Sequence, residues 1–284
     1  MIRNLNKLDD FVINNDNVCP IVQDVTDKIH YDGEIDYIIH AASPASPKIM
    51  KELPVETNFA NTIGTANTLI LANEKKVEGY LFISSREIYG KPIFNEEYFT
   101  EESFGFIDQL VPRNAYAEGK KAAENMCVGF NKEYGLNVKI VRLAHTYGPG
   151  MSIYDGRVQA DFLKNLVHGD NIKLKSDGSS IRTYTYVADA INAMFKVILN
   201  SKDIVYNVSD ENNKISIREL AYIVASLDNL KVVFEIEDED NQSYAPFKFG
   251  ILSSDKIKKE LNWKSKYSLK NGFKRTYDFL KLNE

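Results

Sequence analysis

Two residues with complementary acid–base chemistry lie one helical turn apart near the middle of the chain. Tyr116 and Lys120 fall in the stretch 114–134, NAYAEGKKAAENMCVGFNKEY, whose apolar residues recur at spacings of three and four. That spacing predicts an amphipathic helix with the phenol and the ammonium on one face. A nearby positive charge favours phenolate, so we expect Lys120 to lower the pKa of Tyr116 from about 10 toward neutrality. Such a phenol could remove and return the proton of an alcohol.

The Tyr-x-x-x-Lys spacing is a weak signal by itself. It also occurs at Tyr244/Lys248 and at Tyr277/Lys281. Only the Tyr116/Lys120 pair lies on a cleanly amphipathic helix and follows a predicted strand that ends in Ser84-Ser85. The alternative interpretation is a solvated pair on a helix surface.

The composition is that of an ordinary globular protein. The 284 residues are 44% hydrophobic and 26% charged, enough for one large domain or two smaller ones. A formal net charge of -5 argues against nucleic acid or an anionic membrane as a partner. No secretory leader or long apolar stretch is found, and the two cysteines are too few for a disulfide framework. We therefore expect no nucleic-acid or membrane partner and a cytoplasmic location.

Apolar runs alternate with helical patterns, which is typical of an α/β protein with a mainly parallel sheet. Strands are predicted at 18–24, 36–40, 80–84, 137–143, 172–175, 204–208 and 231–235. Helices are predicted at 55–75, 115–134, 158–167, 187–200, 216–225, 254–261 and 268–280, with a capping box from Ser216 to Glu219. The strand ends at His40, Ser84 and Leu143 would then meet at the carboxyl edge of the sheet, where open α/β folds bind ligands.

The beginning of the chain departs from the usual order of a dinucleotide-binding domain. Such a domain opens with a strand, a glycine-rich turn and a helix, whose N-terminus binds a pyrophosphate. Here the first glycine is Gly33, and neither Gly-x-Gly-x-x-Gly nor Gly-x-x-Gly-x-x-Gly occurs. We therefore expect the sequence to begin about one strand–helix unit, roughly 30–40 residues, late. A longer natural chain and a natural loss of cofactor binding are the two explanations left open.

Five stretches occur in a fixed order along the chain. They are HAASPASP at 40–47, NTIGT at 61–65, SSREIYG at 84–90, YAEGK at 116–120 and RLAHTYGP at 142–149. Together they resemble the extended short-chain dehydrogenase/reductase family, the NAD-dependent nucleotide-sugar epimerases and dehydratases, and within it most closely the UDP-glucuronate decarboxylases. The resemblance implies a Rossmann-type doubly wound parallel sheet at 1–147 that lacks its first strand–helix unit. It also implies a smaller, mainly nucleotide-sugar-binding domain at 148–284, with strand 204–208 returning to the sheet.

The resemblance implies a catalytic role for four residues. Tyr116 would be the base and acid at the 4-hydroxyl of the sugar, and Lys120 its pKa partner and a ligand of the cofactor ribose. Ser85 would bridge these groups to the substrate, and Glu87 would lie beside the sugar ring. The plainer alternatives are a turn residue for Ser85 and a surface charge for Glu87.

NAD is the cofactor that the resemblance implies. Its predicted ligands are Asp24, Ala41, Ala42, Asn61, Ser84, Tyr116 and Lys120. Asp24 would lie by the adenine, although a turn aspartate at a strand end is nearly as good an interpretation. Asn61 would fix the cofactor side of the site, with a residue on a helix surface as the alternative.

The implied substrate is a nucleotide-diphosphate sugar held by Arg86, His145, Arg182 and Lys248. A guanidinium at position 182 suits a diphosphate. Arg86 replaces the serine of the decarboxylases and the aspartate of the 4,6-dehydratases, and it cannot protonate a leaving hydroxyl. Lys248 stands where the decarboxylases carry an arginine, and His145 where the family usually has an asparagine. No metal site is expected, because the histidines lack ligand spacing.

The implied reaction is transient oxidation at C4 of the sugar, followed by elimination, epimerisation or loss of a carboxylate. The resemblance also implies a homodimer through helices 55–75 and 115–134. A non-catalytic nucleotide-sugar-binding or partner protein that has lost its cofactor is the alternative from another class. The absent glycine turn favours that alternative, and the intact set of Ser85, Tyr116 and Lys120 opposes it.

Overall fold

The computed structural model describes residues 1–93, 96–236 and 250–283. Its α-helices are α1 (Asp10–Ile13), α2 (Pro47–Glu52), α3 (Pro54–Lys75), α4 (Ala115–Tyr134), α5 (Val158–His168), α6 (Val187–Asn200), α7 (Ile217–Ala225), α8 (Asp255–Leu261) and α9 (Leu269–Asn283). Its strands are β1 (Tyr37–His40), β2 (Gly79–Ser85), β3 (Lys91–Pro92), β4 (Tyr98–Phe99), β5 (Gly105–Phe106), β6 (Val138–Leu143), β7 (His145–Tyr147), β8 (Ile172–Leu174), β9 (Ile181–Tyr186), β10 (Val205–Val208), β11 (Lys214–Ser216), β12 (Val232–Phe234) and β13 (Ile251–Leu252). Among the helices described, none has the length and apolar character needed to cross a lipid bilayer.

A four-stranded parallel sheet in the order β1-β2-β6-β10 forms the centre of the fold. Its register pairs His40 with Phe82 and Ser85 with Leu143, so the carboxyl ends of three strands lie at one edge. The segment Val205–Val208 pairs in parallel with β6. The prediction of an α/β protein with a mainly parallel sheet is confirmed.

Different helices cover the two faces of this sheet. α3 and α4 pack on one face, in a core that contains Leu69 and Phe82. α6 and α8 pack on the other face, around Leu81 and Trp263. Neighbouring residues of β2 thus point to opposite faces, as successive strand residues must. Both faces are buried, which explains why β2 and β6 read as nearly continuous apolar runs.

A second core lies beyond the carboxyl edge of the sheet. β9 pairs in parallel with β7 and antiparallel with β11. α5, α7 and α9 surround these strands through side chains that include Tyr147, Phe162 and Phe273. Because β7 follows β6 after a single residue, Ala144, the chain passes directly from the sheet into this second core.

The predicted strand at 18–24 is wrong. This segment forms one isolated parallel bridge, between Ile2 and Val22, and Val22 is 57% exposed. An apolar run becomes a strand only where a partner supplies the ladder. In the described part of the chain β1 pairs with β2 alone, and Ile39 of β1 is 45% exposed. β9 is not among the strands predicted from the sequence.

The remaining predicted helices and strands are present within a few residues of their expected ends. The capping box of α7 forms, with reciprocal hydrogen bonds between Ser216 and Glu219. α4 ends at Tyr134 and is capped by Gly135, whose left-handed conformation (φ 70°) lets its backbone N–H donate to the carbonyl of Asn131.

The close approach of α3 and α4 depends on Gly119. A Cβ atom at this position would lie 2.9 Å from Cβ of Asn61, closer than two carbon atoms can approach without displacement. Gly129 lies on the same helix, and a Cβ atom there would meet nothing within 4 Å.

We therefore expect opposite effects of alanine at the two glycines. Gly119→Ala should destabilise the protein by about 1–3 kcal/mol, because α3 must shift to accept the methyl group. Gly129→Ala should stabilise it by up to roughly 1 kcal/mol, because alanine loses less conformational freedom in a helix. Thermal unfolding followed by circular dichroism measures both changes. Equal stabilisation by the two substitutions would show that α3 and α4 do not pack closely at Gly119.

Candidate active site

A pocket of about 950 Å³ opens between the carboxyl edge of the sheet and the second core. It contains six of the residues that the sequence singled out, namely Ser85, Arg86, Glu87, Tyr116, His145 and Arg182. They come from the end of β2 and the short helical turn that follows it, from the first turn of α4, and from β7 and β9. Parallel register and the short passage from β6 into β7 bring them together.

Tyr116 forms one wall of the pocket and is 8% exposed. Burial raises the pKa of Tyr116 to about 12, and a hydrogen bond with Ser85 partly opposes that rise. The expectation that Lys120 brings the pKa of Tyr116 toward neutrality is therefore wrong for this structure. Tyr116 is a neutral phenol at pH 7, and a phenolate would need additional positive charge in the pocket.

Lys120 lies behind Tyr116 and not in the pocket wall. Its ammonium donates a hydrogen bond to the carbonyl oxygen of Ile83 at 2.7 Å and lies 4.6 Å from the centre of the Phe82 ring. The same nitrogen is 5.8 Å from the centre of the Tyr116 ring. Burial lowers the pKa of Lys120 to about 7, and the charge of Glu124 opposes this change. Lys120 is thus poised between its charged and neutral forms near pH 7.

The turn after β2 places three site residues in sequence. The Ser85 hydroxyl accepts a hydrogen bond from the backbone N–H of Glu87 at 3.2 Å and begins the short helical turn Arg86–Tyr89. The Glu87 carboxylate lies 3.7 Å from Arg113 and 3.8 Å from Arg86. This turn therefore fixes a carboxylate and a guanidinium next to Ser85.

His145 and Arg182 form the opposite wall. Nδ1 of His145 lies 3.2 Å from the carbonyl oxygen of Thr183. Burial, followed by the charges of Arg86 and Arg182, holds the pKa of His145 well below its usual value, so its imidazole is neutral at pH 7. Arg182 is 7% exposed, and burial lowers its pKa to about 10, which leaves it charged. In the described residues no group of histidine, cysteine and acidic side chains could hold a metal ion.

Apart from Tyr116, the predicted cofactor ligands lie outside the pocket wall. Ala41 and Ala42 are exposed directly after β1. Asn61 is fully buried, and its side chain accepts a hydrogen bond from Ser43 and donates one to the carbonyl of Thr57. The side chain of Asn61 therefore links α3 to the loop after β1. The alternative interpretation, a residue on the helix surface, is wrong.

The side chain of Asp24 stabilises the turn in which it lies. Its carboxylate accepts hydrogen bonds from the backbone N–H and the hydroxyl of Thr26, at 2.9 and 2.8 Å. The backbone hydrogen bond is the main cause that lowers the pKa of Asp24. The turn interpretation therefore accounts for its contacts. Lys248, predicted to bind substrate, lies outside the described residues.

Two charged residues near the site, the buried Glu124 and the half-buried Arg142, were not assigned a function from the sequence. Glu124 is 8% exposed and forms an ion pair with Arg142 at 2.7 Å. The Ser84 hydroxyl, predicted to contact the cofactor, instead donates to Glu124 at 2.5 Å. Two features of the sequence could have identified them. A carboxylate lies four residues beyond Lys120 on the same helix face, and an arginine lies inside the apolar strand β6.

Comparison with known proteins identifies the class to which this fold and site belong. The model of the NAD dependent epimerase/dehydratase family matches residues 10–209. The chain belongs to this family, whose cofactor is NAD.

Three individual proteins show how similar this chain is to members of known function. UDP-glucuronic acid decarboxylase 6 of Arabidopsis thaliana is 32% identical over 253 residues, covering 89% of this chain and 71% of that protein. UDP-glucuronic acid decarboxylase 1 of Xenopus tropicalis is 29% identical over 273 residues, covering 95% of this chain but only 62% of that protein. The chain thus spans less than two thirds of the frog protein. A UDP-glucuronic acid 4-epimerase of Bacillus cereus, solved with UDP-glucuronic acid and NAD, shares the fold with a TM-score of 0.74 at 19% identity, covering 88% of this chain and 76% of that chain.

The residues present fit one end of an NAD molecule. Ala41 and Ala42 follow β1 at the carboxyl edge with side chains no larger than a methyl group, which leaves the backbone accessible to a ligand. Lys120 offers a buried cation beneath the same edge. The part of the chain that is described contains no strand, glycine turn and helix before β1, so we assign no contact to the pyrophosphate.

Proposed function

We propose that this protein acts on a nucleoside diphosphate sugar by acid–base chemistry at the C4 hydroxyl, with Tyr116 as the proton acceptor and donor. The observation that carries the proposal is the meeting of Tyr116 and Ser85 on the wall of a pocket large enough for such a ligand. Family membership supports the same chemistry. A nucleotide-sugar-binding protein without activity would not need the buried Tyr116, Ser85 and Lys120 set.

The charge of the pocket supports a ligand with a diphosphate. Its lining contains seven basic residues and three acidic ones. The basic residues are Arg86, Arg113, Arg157, Lys164, Lys173, Lys175 and Arg182. An excess of cations in a cleft attracts a multiply charged anion, and guanidinium groups bind phosphate through paired hydrogen bonds. Arg182 is the residue to which we assign the diphosphate.

The chain's own residues would move the proton at C4. Tyr116 would accept the hydroxyl proton in its phenolate form, and Ser85, which hydrogen-bonds to Tyr116, would also hydrogen-bond to the substrate oxygen. The ammonium of Lys120 would stabilise the phenolate and hold the cofactor ribose, while Glu87 would lie beside the sugar ring. NAD, when bound, supplies a positively charged hydride acceptor, and the ketone at C4 acidifies the neighbouring carbon.

Loss of a carboxylate is the outcome that the comparisons and the pocket support best. The relatives of 32% and 29% identity are UDP-glucuronic acid decarboxylases. Arg86 offers no proton for a leaving hydroxyl but suits a sugar carboxylate, which could depart as carbon dioxide from the carbon next to a ketone. A panel of UDP-, GDP- and dTDP-sugars with product analysis separates this outcome from elimination and epimerisation.

A homodimer through α3 and α4 is part of the same proposal. α3 carries an exposed apolar stripe of Val55, Phe59, Ile63 and Ile70, and Val128 and Tyr134 are exposed on α4. Such a contiguous apolar surface is typical of a protein interface. The two free cysteines suit a reducing compartment, and we place the protein in the cytoplasm.

Tyr116→Phe should reduce turnover of the preferred nucleotide sugar by at least about 10³-fold, because the phenol hydroxyl is the group that moves the proton. Binding of the sugar nucleotide, measured by calorimetry, should change little. Tyr277→Phe is the matched control, since Tyr277 begins another Tyr-x-x-x-Lys sequence and bonds to Asp228 away from the pocket. Undiminished turnover in Tyr116→Phe would refute the assigned base.

Phe59→Lys should convert the dimer into a monomer, because it places a charge in the centre of the stripe on α3. Light scattering at micromolar concentration measures the mass. Phe195→Lys is the control, since Phe195 on α6 is equally exposed, at 50%. A parent protein that is monomeric under these conditions would contradict the proposed interface.

A further inference from the structure

Glu124 is a buried carboxylate to which the proposed function assigns no role. It lies on α4, one turn beyond Lys120 and two turns beyond Tyr116, on the same face of the helix. A carboxylate that is 8% exposed must be compensated by charge and hydrogen bonds. Its surroundings therefore indicate what it does.

Both oxygens of Glu124 are occupied. Oε1 accepts hydrogen bonds from the Ser84 hydroxyl at 2.5 Å and from Nε of Arg142 at 3.0 Å. Oε2 accepts from Nη2 of Arg142 at 2.7 Å. Arg142 also donates to the Tyr89 hydroxyl at 2.8 Å and to the carbonyl of Glu101 at 2.9 Å. The carboxylate is thus held by two neighbouring strands of the sheet.

These contacts fix the end of β2 against α4 at two successive residues. Lys120 donates to the carbonyl of Ile83, and the next residue, Ser84, donates to Glu124. Ser85 follows directly and hydrogen-bonds to Tyr116. The separation of the serine and tyrosine hydroxyls therefore depends on the pair of contacts that Lys120 and Glu124 make one turn apart.

Glu124 is also an acidic group whose charge acts on Lys120, one turn away on the same helix face. The titratable groups that face this ammonium are Tyr116, Glu124 and Cys127 on α4 and His40 on β1. Burial, helped by the charge of Lys120, lowers the pKa of His40 to about 3, and burial raises the pKa of Cys127. Both are neutral at pH 7, as is Tyr116. Burial lowers the pKa of Lys120 to about 7, and the carboxylate of Glu124 is the main group that opposes the loss of its proton.

We propose that Glu124 is a positioning residue for the reaction, which keeps the Lys120 ammonium charged and, through Ser84, holds Ser85 at its distance from Tyr116. This inference rests on the proposed roles of Tyr116 and Lys120. Glu124 acts through Lys120 and Ser84 and does not line the pocket that contains Tyr116. Arg142 balances its charge, so that the carboxylate can remain ionised in the interior.

The direct test is the titration of Lys120 by NMR in protein labelled with ¹³C at lysine Cε. The Lys120 signal is assigned by its absence in Lys120→Met. The main variant is Glu124→Gln/Arg142→Met, which replaces the ion pair by neutral side chains, so that neither member of that pair is left as an unpaired ion. We expect the pKa of Lys120 to fall by at least about one unit in this variant, which is a tenfold loss of the ammonium form. Glu124→Asp alone, which retains the carboxylate and Arg142, should keep the pKa of Lys120 close to the parent value.

Glu133→Gln is the matched control, because Glu133 lies exposed near the end of the same helix. It should leave the titration of Lys120 unchanged. Thermal unfolding establishes that each variant is folded. An unchanged pKa of Lys120 in the folded double variant would overturn the proposal.

Activity gives a second, separate measurement. If Glu124 keeps Lys120 charged, the alkaline limb of the profile of kcat/KM against pH should move to lower pH in the double variant by the same amount as the NMR titration. A purely structural role would lower kcat/KM without moving that limb, and this result would overturn the proposal. If the parent turns over no nucleotide sugar while the NMR shift is present, the proposed function fails and the effect of Glu124 on Lys120 stands.

Discussion

The buried ammonium of Lys120 is the interaction on which the site depends, because an ion without compensation inside a protein is strongly unfavourable. The structure compensates it with the carbonyl of Ile83, the face of the Phe82 ring and the field of Glu124. Each of these groups lies on β2 or α4. Compensation of one charge therefore fixes a strand end against a helix, and Ser85 and Tyr116 are placed by the same contacts.

The opposite wall of the pocket depends on a different part of the chain. β7 follows β6 after one residue and pairs with β9, which carries Arg182 over the strand ends. The second core holds these strands through the stacked rings of Tyr147 and Phe273, 4.2 Å apart. The acid–base groups thus come from the parallel sheet and its helix, whereas the positive groups for an anionic ligand come in part from the second core. Such a division lets substrate recognition vary while the acid–base groups stay in place.

Regular features of the fold could be predicted from the sequence because they depend on local patterns. The helices from Pro54 and from Ala115 follow their apolar spacing, and the capping box at Ser216 is a local signal. The prediction of a strand at 18–24 is wrong because a strand needs a neighbouring strand to pair with, and the sequence of the segment does not show whether that neighbour is present. The protonation states of Tyr116 and Lys120 could not be predicted from the sequence, because burial in the folded protein raises the pKa of Tyr116 and lowers that of Lys120. Glu124 and Arg142 acquire their importance only because the fold buries them together.

The central claim is that a ketone at C4 activates the neighbouring carbon of a sugar bound beside Tyr116. Incubation with NAD and UDP-glucuronate in D₂O, followed by mass spectrometry and NMR of the product, tests this claim most directly. We predict release of carbon dioxide and a product that carries one solvent-derived deuterium at C5, the carbon that loses the carboxylate. A turned-over product without deuterium at C5, or a UDP-glucuronate that is bound and returned unchanged, would contradict the account.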